Sequence, residues 1–227
     1  MKRLALLVFP LVALGCSSLT EGAGGVVGLD IQAPTLKTLE VGESLQLTAQ
    51  ALDKNGNPVA TPITWRASDP TMTVDQTGVV TGVAPGTGRV QASVGSLTSS
   101  LVTFTVIARA DTLIVTDSVF TVAPGVPASP PLVALIKSNS PPAPLPSWPV
   151  IYTVINPPDV GPHTVELPGG KLVDTVSTGT DGAVSGVTLN RVNGTTQPAT
   201  AIVEVRSFRT RGGIVPGSGQ HFTVNFQ

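Results

Sequence analysis

Cysteine is all but missing: the 227-residue chain holds one, Cys16. That excludes an internal disulfide, a dithiol redox pair and a thiolate-rich zinc site. Charge is scarce as well. Charged residues make up 12% of the chain, about half the roughly 25% of ordinary soluble domains. With 13 Lys+Arg against 14 Asp+Glu the net charge is −1, so no global field gathers nucleic acid. Six Phe, two Trp and one Tyr are little material for a sugar-stacking platform, which turns any carbohydrate reading toward protein contacts instead. Histidine occurs twice, at His163 and His221, without H-E-x-x-H spacing or a cysteine partner. No serine lies in G-x-S-x-G, and Gly217-Ser218-Gly219 is a loop tripeptide without that context. The expectation is no metal site, no enzyme activity and no cofactor other than a covalent lipid.

What is present points to strands. Apolar residues reach 41%, too many for a disordered chain of this polarity. The 24 Gly and 21 Pro punctuate the sequence too often for long helices. The 32 Val and 28 Thr are β-branched residues suited to a pleated surface. The class is all-β, and the length allows two modules.

The N-terminus reads as an address. Lys2 and Arg3 precede the uncharged run Leu4 to Gly15, which is too short to span a bilayer and carries Pro10 mid-run. Ala13-Leu14-Gly15-Cys16 resembles the bacterial lipobox, with Ala13 where Leu is usual. The resemblance implies cleavage after residue 15 and a diacylglycerol on Cys16, a membrane anchor of two or three acyl chains. Ser17 stands where Asp would resemble an inner-membrane retention mark, so the outer membrane or the periplasmic face is expected, with the cell surface open. Residues 16–28 form the acylated cysteine and a small, polar tether with a reach of about 20 Å.

Residues 29–108 alternate as a half-buried sheet does. Leu45, Leu47, Ala49 and Ala51 interleave with Gln46, Thr48 and Gln50, and Val90, Ala92 and Val94 with Arg89, Gln91 and Ser93. Trp65 and Phe104 are expected to fill the centre. Asp53-Lys54-Asn55-Gly56-Asn57 spaces its oxygens like a calcium loop. Its Gly stands at the fourth place, Pro58 at the sixth and Thr64 at the twelfth, so a hairpin turn is the better reading. The segments Leu39 to Leu47 (LEVGESLQL), Ile63 to Pro70 (ITWRASDP) and Val74 to Thr87 (VDQTGVVTGVAPGT) closely resemble bacterial immunoglobulin-like group 2 domains. The resemblance implies a small β-sandwich used as a spacer or adhesive module, without a shared active site. Thr71-Met72-Thr73 and Arg89 depart from the family pattern.

Residues 111–227 carry a second strand set, clear at Ile202-Val203-Glu204-Val205 and Phe222 to Phe226. Thr180-Asp181-Gly182-Ala183 followed by Val187-Thr188-Leu189 is loosely similar to invasin-like, group 1 bacterial immunoglobulin-like domains. A second immunoglobulin-like sandwich with a Pro-rich insert is expected, held end to end with the first across the short Arg109 to Asp111 junction.

Two surfaces stand out as candidate partner contacts. Ser138 to Pro149 (SNSPPAPLPSWP) holds five prolines and must run extended, either as a stiff covering loop or as a preordered docking strip presenting Leu145 and Trp148. Arg206, Arg209 and Arg211, followed by Gly212-Gly213-Ile214-Val215, read as a hairpin arm. It is either a solvated face or cations set against lipid phosphates or an acidic partner, with Ile214 and Val215 exposed at the tip. Asn193-Gly194-Thr195 fits a glycan pattern that a bacterial lipoprotein does not use. The sequence thus predicts a lipid-anchored, non-catalytic extracytoplasmic protein of two tandem sandwiches. It presents modules for adhesion or spacing, or serves as a structural subunit on the extracytoplasmic face of a membrane complex. Its partners are the membrane and another protein, not nucleic acid.

Overall fold

Apolar–polar alternation becomes strand from the start of the computed structural model, which describes residues 25–227. The signal segment, Cys16 and most of the tether lie outside the described residues. The first module holds β1 (Gly28–Gln32), β2 (Thr38–Glu40), β3 (Ser44–Gln46), β4 (Thr48–Leu52), β5 (Pro58–Val59), β6 (Thr64–Ala67), β7 (Met72–Val74), β8 (Val79–Gly82), β9 (Gly86–Val94), β10 (Leu97–Thr98) and β11 (Val102–Ile107). The second holds β12 (Thr112–Val115), β13 (Val119–Val122), β14 (Ala134–Asn139), β15 (Pro142–Pro144), β16 (Pro149–Asn156), β17 (Val165–Glu166), β18 (Val173–Ser177), β19 (Ala183–Val184), β20 (Asn190–Arg191), β21 (Thr200–Arg206) and β22 (Gln220–Phe226).

The two modules share one topological device. In the first, β1 pairs antiparallel with β4; the chain then crosses to the other sheet, where β2 runs parallel to β11. In the second, β12 pairs antiparallel with β14, and β13 crosses to run parallel to β22. The sheet orders β2-β11-β9-β6 and β13-β22-β21-β16 correspond strand for strand. Crossing over gives the opening strand of each module a partner in both sheets and ties them together at their edge. Both modules are therefore immunoglobulin-like sandwiches, although only the first shows a clear sequence signature.

Inward positions of these strands meet in separate cores. Leu39, Leu47, Met72, Val80, Val90, Phe104 and Val106 fill the first module, with Trp65 half-buried against them. A smaller cluster of Val26, Ala51 and Val94 closes its far pole, so the described chain enters at the end opposite the second module. Met72 supplies the apolar side chain of the otherwise polar Thr71–Thr73 stretch. Gly88 makes room for it, since a Cβ there would fall on the Met72 Sδ and Cγ atoms.

The second core is larger and is built around Phe222. The Tyr152 and Phe120 rings stack on it with centroids 6.3 and 6.2 Å away. Tyr152 is fully buried, and its hydroxyl donates to the Leu132 carbonyl at 2.9 Å. Burial pushes its pKa far above the ordinary phenol range, so the ring stays neutral. Tyr152→Phe leaves the Leu132 carbonyl without that donor, at a cost of about 1–2 kcal/mol. The second module's melting temperature is expected to fall by about 5–10 °C in a thermal scan, with the first module's unchanged.

Candidate interaction surface at the module junction

Two of the sequence features singled out as separate candidates, the Pro-rich strip and the arginine-bearing hairpin, meet at the junction between the modules. Ser207 to Val215 forms a short hairpin: Val215 N–H donates to the Ser207 carbonyl at 3.0 Å, Arg209 N–H to the Gly213 carbonyl at 2.6 Å, and Phe208 bridges Ile214. The tip is therefore Thr210 to Gly212. Ile214 is 60% exposed, as expected, but Val215 is fully buried in the second core, against the expectation that both sit at the tip. The turn closes before Gly213, so Ile214 and Val215 lie on the returning arm and Val215 turns inward.

The three arginines do not form one free cationic patch. Arg206 stays on its own strand, gripping Glu204 through Nε and Nη2 at 2.6 and 2.9 Å, and these bonds hold the Glu204 carboxyl below its usual range. Arg211 reaches the other module. Its Nε pairs with Glu43 at 2.9 Å, and its Nη2 donates to the carbonyls of Leu36 and Thr38 at 3.0 and 3.1 Å. Arg209 sits between, donating to the Ala110 carbonyl at 3.1 Å, with Glu40 and Asp111 oxygens at 3.9 and 3.8 Å.

Glu40 is the group the sequence reading missed. It lies at the end of β2 and is 2% exposed. One carboxylate oxygen accepts from the Thr210 N–H at 2.7 Å and the Thr210 hydroxyl at 2.8 Å; the other accepts from Ala110 N–H at 3.1 Å. Asp111, also buried, accepts from Asn139 N–H at 2.8 Å and from Arg109 Nε at 2.5 Å. Each buried carboxylate thus has the donors that offset its loss of water. No spacing rule pairs Glu40 with a residue 170 positions away. The available signal was three arginines within six residues of a charge-poor chain.

Beside this polar joint lies an apolar groove of about 710 Å³. One wall is Pro85, Val106, Ile107 and Ala108; the other is the Pro-rich strip from Pro144 to Pro149 together with Phe208. The strip does not present Leu145 and Trp148 freely, because both are buried, at 5% and 7% exposure. Thr178 pins it: Trp148 N–H donates to the Thr178 hydroxyl at 2.9 Å, and Ser147 N–H to the Thr178 carbonyl at 2.9 Å. Ser147 takes a φ of 58°, and this kink turns Leu145 and Trp148 inward and leaves the prolines outside. The Trp148 indole N–H is satisfied by the Phe208 carbonyl at 3.2 Å, so Trp148 lines the groove without an unpaired donor.

Elsewhere the candidate chemistry resolves into structure. Asp53 accepts from the Asn55 and Asn57 amides at 2.8 Å each, closing the β4–β5 turn. His163 faces Asp159 at 3.1 Å and His221 faces Glu204 at 3.7 Å, one carboxylate apiece. The Ser218 hydroxyl is bonded to the Ser207 backbone on both sides, at 3.0 Å. Among the described residues no three metal-ligating side chains cluster.

The profile of the bacterial Ig-like domain family, group 2, matches residues 31–106. The first module is a group 2 bacterial Ig-like domain. Its match ends at Val106, on the groove wall, so the group 2 domain supplies Glu40, Glu43 and Pro85 to a junction completed by the second module. Its Arg89, an unusual residue for the position, makes a two-pronged bond to Asp69 at 2.9 and 2.8 Å. Arg89 thereby fastens the Ser68-Asp69-Pro70 turn and holds the Asp69 carboxyl below its usual range.

No curated protein sequence matches the chain. Among solved structures it is similar to the Yersinia pseudotuberculosis adhesin InvE, at 17% identity over 91% of this chain and 61% of that one, with a TM-score of 0.42. It is also similar to domains 4 and 5 of the S-layer protein SbsC, at 21% identity over 88% of this chain and 98% of that one, TM-score 0.34. The D00-D0 domain of intimin matches at 14% identity over 87% of this chain and 96% of that one, TM-score 0.29. The chain spans about three fifths of the adhesin's length.

Proposed function

We propose that this chain is a lipid-anchored, non-catalytic display protein outside the cytoplasm, holding a protein-contacting surface at a set distance from a membrane. The observation that carries this reading is polar opposition. Val26 packs at the far pole of the first module, while Glu40, Ile107 and the groove lie at the other end, where the second module begins. An acylated Cys16 and its tether then place the first module nearest the bilayer. Junction and second module stand further out, and the acyl chains supply position without spending protein surface on membrane contact. A group 2 Ig-like domain in the proximal place fits a spacer.

A second reading, an accessory subunit bolted to a membrane assembly, is favoured by the groove. It is apolar and open, and two modules build it, which suits a protein segment better than a soluble sugar. Intact-mass analysis of protein extracted from native membranes in detergent, with its copurifying chains, tests both. The expected mass is that of a chain starting at Cys16 plus diacylglycerol and an acyl group. A bare Cys16 in the soluble fraction removes the anchored reading. A lone monodisperse lipoprotein removes the subunit reading and keeps the first.

A further inference from the structure

We infer that the Phe208–Ile214 hairpin is a clasp, keyed into the first module by Glu40, that fixes one angle between the two modules and thereby builds the groove. Modules joined by a junction as short as Arg109 to Asp111 still pivot about it unless their interface resists, and motion is the default for small, polar interfaces. Among the described residues, the polar bonds that the second sandwich sends to the first come from this hairpin, beside the Ala110 N–H of the junction itself. Thr210 bonds Glu40 twice, while Arg211 takes Glu43 and the carbonyls of Leu36 and Thr38. These partners sit on β2 and its flanks, the strand whose parallel pairing with β11 ties it into the first sandwich.

Direction, not strength, is what such an arrangement supplies. A buried carboxylate gains little net stability over an apolar contact of the same shape, yet it tolerates few geometries, because each lost donor leaves charge stranded away from water. The two Glu40 oxygens draw donors from different places, the hairpin and the junction backbone at Ala110. Satisfying both at once sets the hinge. An apolar interface would slide; this one has a register. The groove depends on it, since Pro85, Ile107 and Ala108 stand on one side and Pro144, Pro146 and Phe208 on the other. Opening the clasp separates its walls. This inference rests on the junction alone and stands whether or not Cys16 is acylated.

Double electron–electron resonance on the full chain tests it, with Cys16→Ser and nitroxides on cysteines replacing Lys54 and Asn193, exposed residues of the first and second modules. The expected reference is a single narrow distance. Glu40→Ala with Arg211→Ala should abolish the narrow peak while both modules keep their thermal transitions. Should Glu40→Ala unfold the first module, Thr210→Val with Arg211→Ala opens the clasp from the hairpin side and is expected to give the same loss. Arg206→Ala, whose partner Glu204 lies in the same module, should leave the peak narrow. The inference is overturned by a reference that is already broad, by a peak that stays narrow in the clasp variants, or by broadening of equal size in Arg206→Ala.

Discussion

Phe104→Ala is expected to remove much of the first module's stability while leaving the second module's intact. Phe104 is fully buried and pairs across the sheet with Gly88, on the face where Met72 sits over the missing Cβ. The one ring packed against this cluster, Trp65, is only half-buried, and filling the hole would draw it away from its own place at the edge of the core. Truncating a buried Phe costs about 3–5 kcal/mol. A domain of this size has a stability of roughly 4–11 kcal/mol, so the variant keeps little margin. Differential scanning calorimetry is expected to show the first module's transition lowered by more than about 12 °C, with a separate transition for the second. A single transition, lowered as a whole, would mean that the two sandwiches share one cooperative core, contrary to the separate clusters seen here.

What the sequence revealed and what it hid divide along a physical line. Period-two alternation reports burial directly, because a strand's faces alternate. Leu45, Leu47, Ala49 and Ala51 turn inward, as do Val90, Ala92 and Val94, with their polar neighbours facing out. Turn chemistry was equally local: Asp53 closes its hairpin with bonds two and four residues on. The second sandwich was legible as strands, but its immunoglobulin topology was not, since the parallel pairing of β13 with β22 joins residues a hundred positions apart. The junction was legible only in half. Arginine crowding flagged the hairpin, but Glu40 read as one polar residue inside a family motif, and its partners are set by how two folded modules meet. Leu145 and Trp148 failed as exposed residues for a similar reason. Proline spacing predicts an extended strip, and the edge strand β15 is one, but the kink at Ser147 that turns both side chains inward depends on Thr178, just past the end of β18.

Gly217→Ala is expected to destabilise the second module far more than Gly186→Ala, although the two glycines share nearly the same backbone, with φ of 89° and 91°. Both substitutions place an L side chain in left-handed conformation, which costs about 1–2 kcal/mol. At Gly186 that is the whole effect, because nothing lies within 4 Å of the added Cβ. At Gly217 the Cβ lands on the carbonyl oxygen of Leu113, part of the backbone, with the Gln220 Nε2 atom 3.1 Å away. No rotamer change relieves that collision. β12 must move away from the start of β22, losing the Leu113 N–H bond to the Pro216 carbonyl at 2.8 Å and the Gln220 bridge that accepts from Val115 N–H and donates to the Leu113 carbonyl. Strain and displacement together come to about 3–5 kcal/mol. Gly217→Asn separates the two causes: asparagine tolerates positive φ but carries the same Cβ, so it is expected to recover at most the strain share, about 1–2 kcal/mol, and to keep the rest of the loss. Urea titrations of the three variants read the order. If Gly217→Asn recovers most of the loss, backbone strain and not the Leu113 contact governs this turn, and β12 yields readily to a side chain at the start of β22.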